Sequence, residues 1–197
     1  MNTPTLKTER LILRKFHEKD INALYMIFHD IDVNKFLPWF PLQSKAEAVT
    51  FYNERYASVY KQPNGYHYAI CLKQDDIPIG YVNVGMDDSH DLGYGLCKTF
   101  WHKGIVREAI TAVIEQVKND GLHYITATHD IHNPRSGKVM KAVGMQYEYS
   151  YEELWQPKNI LVTFRMYQMN FDQQNDYIYR GYWNIYKKHF IENIITE

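Results

Sequence analysis

The chain has 197 residues and 45% apolar content, and its 22 Lys+Arg against 23 Asp+Glu leave a formal net charge of −1. That balance excludes a general nucleic-acid binder, which needs a basic excess to displace counterions from phosphates. The apolar content is enough for one folded domain of ordinary size, with or without an appendage. Charged and polar residues interrupt every apolar run well short of a membrane span. The N-terminal TPTLKTER has no apolar core of a secretory signal. Cys71 and Cys97 stand alone, without CxxC spacing. The expectation is a cytoplasmic protein with no disulfide framework, no metal and no membrane partner.

In chain order, Leu6 to Phe16 reads as a first strand, with Leu11 and Leu13 alternating against Arg10, Ile12 and Arg14. Asp20 reads as the N-cap of a helix with the stripe Ile21, Leu24, Tyr25 and Phe28. Phe36 to Pro41 is a proline-broken aromatic loop. There Trp39 and Phe40 are expected either to contact substrate or to close the core. Ser44 with Glu47 reads as a capping box, opening a helix that turns Val49, Tyr52, Tyr56 and Val59 inward. Asn64-Gly65, Asp75-Asp76 and Asp87-Asp88-Ser89 are turns around three strands, Tyr66 to Lys73, Ile77 to Met86 and Asp91 to Cys97, an antiparallel meander.

A long helix is expected from Lys103 to Asp120, with Val106, Ile110, Val113 and Val117 inward and Gly121 closing it. Tyr124 to Ile131 is a strand and Pro134 to Val143 a short helix. Met145 to Trp155 and Ile160 to Met169 form a final hairpin. The order predicts an α/β domain over residues 1–170, a mixed, mostly antiparallel central sheet flanked by helices, with one parallel crossover. From Phe171 the composition turns to Asn, Gln and Tyr. Tyr182, Trp183, Tyr186, Phe190 and Ile194 recur at roughly helical spacing, so residues 171–197 are expected to form a helical extension packed on the domain or on a second copy, as a homodimer.

The segment Thr99 to Ala109 lies between a strand and the start of the long helix. First-turn N–H groups there have no intrahelical partner, and the helix dipole makes that end positive. Gly104 admits an anion close to the backbone, and Lys103 and Arg107 add charge, which suits a pyrophosphate. The three histidines His123, His129 and His132 have no metal-ligand spacing.

Several motifs in order make the chain resemble the GNAT acetyltransferases, and within them the RimJ/RimL type, over roughly Leu6 to Tyr167. They are LKTERLILRKF from Leu6, FLPW from Phe36, PIGYVNV from Pro78, DLGYGL from Asp91, FWHKGIVREAI from Phe100 and HNPRSGKVMKAVGM from His132. The resemblance implies a GNAT-like acyl-CoA N-acyltransferase fold and acetyl-CoA as co-substrate. It implies that the backbone of Leu96 and Cys97 pairs with the pantetheine arm. It makes His102, Lys103, Gly104, Ile105, Val106 and Arg107 the pyrophosphate loop, brings Asn133 to the cofactor, and sets Ser136 beside its sulfur as an acid. It makes Asp91 the first choice for the base, with Glu152 and Glu153 second. Where many GNAT enzymes carry a tyrosine seven residues after the Asn, this chain has Met140, and where the loop usually has a small residue it has Val106.

The implied reaction is attack of a neutral amine on a thioester. Holding an α-amine of pKa about 7.7–8.0 neutral at pH 7 costs about 1–1.4 kcal/mol, and a lysine side chain near 10.4 costs about 4.6 kcal/mol. The expected acceptor is a protein or peptide N-terminal α-amine. The alternatives are a small amine such as an aminoglycoside, polyamine or amino-acid derivative, or a non-catalytic acyl-CoA-binding module.

Overall fold

The computed structural model describes residues 1–172 and 176–193. The chain builds two antiparallel sheets. The first contains β1 (Leu6–Lys7), β2 (Leu11–Arg14), β3 (Tyr66–Leu72), β4 (Pro78–Val84) and β5 (Leu92–Leu96), in sequence order. The second contains β6 (Tyr124–Asp130), β7 (Gln146–Trp155), β8 (Ile160–Asn170) and β9 (His189–Phe190), in the spatial order β6-β8-β7-β9. Helices α1 (Ile21–His29) and α2 (Lys45–Tyr52) cover one face of the first sheet, where Phe28, Tyr52 and Tyr56 pack with Ala69, Cys71 and Tyr81. Helices α3 (Ile105–Asn119) and α4 (Pro134–Ala142) cover the other, where Ile110, Val113 and Met140 pack with Leu11, Tyr68, Val82 and Leu92.

The meander β3-β4-β5 and the crossover β5-α3-β6 follow the expected order. The crossover, however, pairs its two parallel strands hardly at all. Among the described residues one parallel bridge, Asp91 to Thr126, joins the sheets. Thr126 N–H donates to the His90 carbonyl at 3.3 Å, and its hydroxyl donates to the Ser89 carbonyl at 2.8 Å. Beyond Asp91, β5 remains in the first sheet and β6 in the second, so a gap opens between Tyr94 to Leu96 and Thr128 to Asp130.

Four local expectations are corrected. The strand expected over Leu6 to Phe16 is a hairpin, Leu6 opposite Leu13. Its turn is held by Thr8, whose hydroxyl accepts the Leu11 N–H at 3.0 Å and donates to Glu108 on α3. In α2 the buried residues are Ala48 and Tyr52, one turn apart; Val49 is exposed because it lies off that face, and Val59, beyond a π-helical turn over Asn53–Ala57 that shifts the phase, is only partly covered. In α3 the inward stripe begins at Ile105 and continues through Ala109, while Val106 is only half-buried. Among its described residues the tail forms a short helix, α5 (Gly181–Ile185), and then β9, which pairs with the edge of β7 through Ser150–Phe190 and Tyr151–His189. Tyr182 and Tyr186 stack on Tyr151, and Arg165 holds Glu192. Ile194 lies outside the described residues.

Arg14 anchors β2 to the helical layer above it. The residue is 6% exposed, and its guanidinium bonds Asp20 at 2.7 and 3.2 Å and Asp76 at 2.7 Å. Removing one partner of a buried ion pair leaves a poorly compensated charge, at a cost of about 3–5 kcal/mol. Because Asp76 remains, Asp20→Ala is expected to lose about 3 kcal/mol, read as a lower midpoint of urea unfolding at pH 7.

Candidate functional site

The gap between β5 and β6 collects most of the residues expected to act. At its mouth α3 begins. Gly104 is the N-cap, with φ of 72°, a left-handed conformation open to glycine at no steric cost. His102, Lys103, Gly104 and Arg107 are exposed around it, and Ile105 is buried as the first helical residue. The loop is braced from the β1–β2 turn. Arg10 Nη1 donates to the Lys103 carbonyl at 2.9 Å, and Arg10 Nε pairs with Glu108 at 2.6 Å. Arg10 thus adds a cation beside the first-turn N–H groups that the sequence reading did not assign. This arrangement of free amides and cations fits a phosphorylated ligand.

The ladder determines what β5 offers to the gap. Cys97 N–H donates to the Ile79 carbonyl at 2.8 Å, and Cys97 O accepts the Phe100 N–H at 2.9 Å. The Cys97 N–H is thus committed to β4, and its carbonyl is turned toward the loop after β5. By the alternation of an antiparallel ladder, the backbone groups of Tyr94 and Leu96 point into the gap. The Leu96 carbonyl there accepts from Trp101 Nε1 at 2.7 Å, and the Arg135 guanidinium lies 5.1 Å over the same indole. The Leu96 N–H is left facing the gap.

Side chains on β5 divide between the two faces. Leu92, Tyr94 and Leu96 face α3 and α4, while Asp91, Gly93, Gly95 and Cys97 face the α1–α2 side. On the first face Tyr94 meets Ser136 in the first turn of α4. The two hydroxyls are 2.8 Å apart, and Tyr94 also donates to the Ser136 carbonyl at 2.9 Å. Burial, despite the Ser136 hydrogen bond, pushes the Tyr94 phenol up, so it stays protonated. α4 lies close to β6 because its second turn carries Gly137, where a Cβ would fall 2.6 Å from His129 Nε2. Asn133 is the N-cap of α4 and is only partly exposed, and its side chain makes no capping bond. Met140 is fully buried in the core.

On the opposite face lies Asp91. The residue is partly exposed, but its Oδ1 is out of reach of solvent and without a hydrogen-bond partner. Burial, and then the charge of Asp87, raise its carboxyl to about 7. Tyr151 of β7 and Tyr182 of α5 lie within range of its charge, so the tail helps to enclose it. The second-choice bases are placed differently. Glu152 is paired with Lys188 at 2.5 Å, and Glu153 sits beside Tyr186 with its carboxyl raised by burial.

Trp39 packs against Phe28 and Phe51 with Arg55 over its ring at 5.1 Å, and its Nε1 is buried without a partner. Phe40 is 60% exposed. Trp39 thus serves the core over α1–α2, and Phe40 is the aromatic of the loop that faces solvent. Sequence reading missed Tyr94 as well as two polar residues in the middle of the first sheet, His67 and Asn83. Among the described residues no group of three or more His, Cys, Asp or Glu is arranged to hold a metal, and no helix is long and apolar enough to cross a membrane.

Known proteins share this fold. Residues 10–146 match the family model of the acetyltransferase (GNAT) domain. The uncharacterised N-acetyltransferase YnaD of Bacillus subtilis is 29% identical over 147 residues, 73% of this chain and 83% of its own length. The [ribosomal protein uS5]-alanine N-acetyltransferase of Escherichia coli is 26% identical over 154 residues, 73% of this chain and 78% of its own length. Among solved structures, a GNAT-family acetyltransferase from Bacillus anthracis superposes with a TM-score of 0.74 at 24% identity, covering 85% of this chain and 98% of that one.

The raised Asp91 carboxyl has a consequence for stability. A carboxyl whose folded value, about 7, lies above its unfolded value near 3.9 stabilises the fold in its protonated form. That contribution is complete below about pH 4 and is lost as the pH rises to about 7, up to about 4 kcal/mol by linkage. Asp91→Asn removes it. The variant is expected to gain in melting temperature over the parent as pH is raised from 4 to 8, with the gain levelling off above pH 7.

Proposed function

The chain belongs to the GNAT acetyltransferase family, and from that premise we propose that it carries acetyl from acetyl-CoA to the α-amine of a peptide N-terminus by direct attack across the gap between its two sheets. The observation that carries this reading is the position of Asp91. Its carboxyl, near 7, faces one side of β5, and the Tyr94–Ser136 hydroxyl pair faces the other.

On the α3–α4 side, the Gly104 loop with Lys103, Arg107 and Arg10 holds the pyrophosphate. The Leu96 N–H pairs with the pantetheine amides, and Asn133 contacts the arm as it enters. The thioester then lies in the gap, with its sulfur toward Ser136. On the α1–α2 side the acceptor approaches over Gly93, where a Cβ would meet nothing within 4 Å. Asp91 takes the proton of the incoming ammonium, directly or through one water, and the freed amine attacks the carbonyl carbon. Backbone N–H groups of β5 at the gap stabilise the oxyanion. As the C–S bond breaks, Ser136, hydrogen-bonded to the protonated Tyr94, gives a proton to the departing thiolate and recovers one from the second proton that the nitrogen sheds, passed on through water, so that it ends protonated as it began.

The energetics support this acceptor class. Between a carboxyl near 7 and an α-ammonium near 7.7–8.0, proton transfer is uphill by about 1 kcal/mol. From a lysine side chain it is uphill by about 5 kcal/mol. The similarity to an alanine N-acetyltransferase of a ribosomal protein supports the same choice.

Thiol release with acetyl-CoA tests this against a panel of free-N-terminus peptides, the same peptides N-blocked with a free lysine, spermidine and an aminoglycoside. Release with the free-N-terminus peptides alone is the expected outcome. A preference for the blocked peptides or for the small amines contradicts the α-amine reading. For the active acceptor, kcat/KM is expected to rise with pH through about 7. Asp91→Asn and Ser136→Ala are each expected to lower kcat about 100-fold or more, the general acid–base range. Calorimetric affinity for CoA is expected to stay unchanged in both, and an unchanged kcat removes the residue concerned from the mechanism.

A further inference from the structure

β3 and β4 lie in the interior of the first sheet, and nearly every residue on them is buried. Two interior positions are not. His67 and Asn83 are partly exposed, they are Cα partners across the ladder, and Asn83 is in turn the partner of Gly93 on β5. The three therefore form one straight row on the α1–α2 face, next to Asp91, whose carbonyl accepts the Gly85 N–H at 3.0 Å. Neighbouring strands are about 4.8 Å apart, so the row spans roughly 10 Å. Its end at Gly93 is bare, with open space where a side chain would stand.

One side-chain atom on each of His67, Asn83 and the neighbouring Asp91 lacks a partner. His67 Nδ1, Asn83 Oδ1 and Asp91 Oδ1 are all buried and unsatisfied. An unmade hydrogen bond at a buried polar group destabilises a fold, and three on one face of one sheet are not explained by packing. The other side of the Asn83 side chain lies against the Tyr56 hydroxyl, which orients it. Two of the orphans, the Asn83 and Asp91 oxygens, accept hydrogen bonds. His67 is held neutral by burial, down to about 4, and so offers an acceptor nitrogen and no repelling charge. Rotation of the imidazole and the amide about their broad terminal torsions, which for Asn83 gives up its contact with the Tyr56 hydroxyl, would expose these atoms on the α1–α2 face.

We propose that His67, Asn83 and Gly93 form the acceptor-recognition floor of the enzyme, reading the N–H donors of an extended amine-bearing chain that runs from Asp91 across β5, β4 and β3. The amine nitrogen sits over Gly93 beside Asp91, and the next backbone N–H of a peptide, about one residue further on, meets Asn83. His67 meets the donor after that. The proposal rests on the reading that the acceptor enters on the Asp91 face.

Two variants separate this role from folding and from donor binding. Gly93→Ala fills open space without a clash, and Asn83→Leu removes the central acceptor while keeping similar volume. With an Ala-initiated peptide and with spermidine as separate probes, both variants are expected to raise acceptor KM tenfold or more. Acetyl-CoA KM should stay within about twofold, and the melting temperature of Gly93→Ala should not fall. Calorimetric titration of each probe into CoA-saturated protein gives a readout independent of turnover, and binding is expected to weaken by the same factor. Acceptor KM within twofold of the parent in both variants overturns the proposal, as does a parallel loss of acetyl-CoA affinity or the absence of binding of either probe to the parent protein. If spermidine is acetylated and the peptide is not, the α-amine reading falls while the row is still judged by the spermidine KM.

Discussion

The structure depends on how briefly two parallel strands stay together. Asp91 and Thr126 make the bridge, the Thr126 hydroxyl secures it to Ser89, and from there the strands enter different sheets. A continuous parallel ladder would bury the edge of β5 in hydrogen bonds and leave no passage between its faces. Separation leaves the backbone of Tyr94 and Leu96 directed at the gap, and it makes β5 a partition with distinct chemistry on each side. The alternation of a strand then puts Tyr94 with Ser136 on one side and Asp91 with Gly93 on the other. A substrate pair can meet through the partition while its proton donor and its proton acceptor remain apart.

The same separation explains the electrostatics. Asp91 lies where the sheets converge, and Tyr151 and Tyr182 help to close its surroundings from the second sheet and the tail. The carboxyl is costly to ionise there, which is what a base needs when its partner titrates within a unit of neutrality. At the other end of the gap the requirement is opposite. Gly104, the first turn of α3, Arg10, Lys103 and Arg107 are exposed and positive, suited to an anionic ligand that is bound and released. The core elements serve these two ends: Arg14 with Asp20 ties α1 to β2, and Gly137 lets α4 approach His129 closely enough for Ser136 to reach Tyr94.

Much of this was legible in the sequence where the determinants are local. The β3-β4-β5 meander follows from its Asp-rich turns, and α3 from its period and its flanking glycines. Motif order singled out the Gly104 loop and Ser136, which stand at the start of α3 and in the first turn of α4. What could not be read depended on distant partners. The turn at Thr8 to Arg10 is made by Glu108, about a hundred residues on. Tyr94 reads as one more apolar residue between Leu92 and Leu96 until α4 is placed over it. Cys97 looked available because the register that commits its N–H to Ile79 is a tertiary fact. The tail's aromatic spacing suggested one long helix, but the free edge of β7 draws part of it into β9. His67 and Asn83 differ: a polar residue inside YHYAICL and another inside PIGYVNV were visible signals, and their meaning emerged once the register paired them.

The central claim is that the acceptor and the thioester meet through the gap from opposite faces of β5. The measurement that tests it most directly is a crystal structure with a bisubstrate conjugate, CoA joined through an acetyl spacer to the α-nitrogen of an Ala-initiated peptide. The account predicts the sulfur within hydrogen-bond reach of Ser136, the spacer between Leu96 and β6, and the peptide nitrogen over Gly93 beside Asp91. A conjugate whose peptide leaves on the α3–α4 side, or whose sulfur lies away from Ser136, would contradict it.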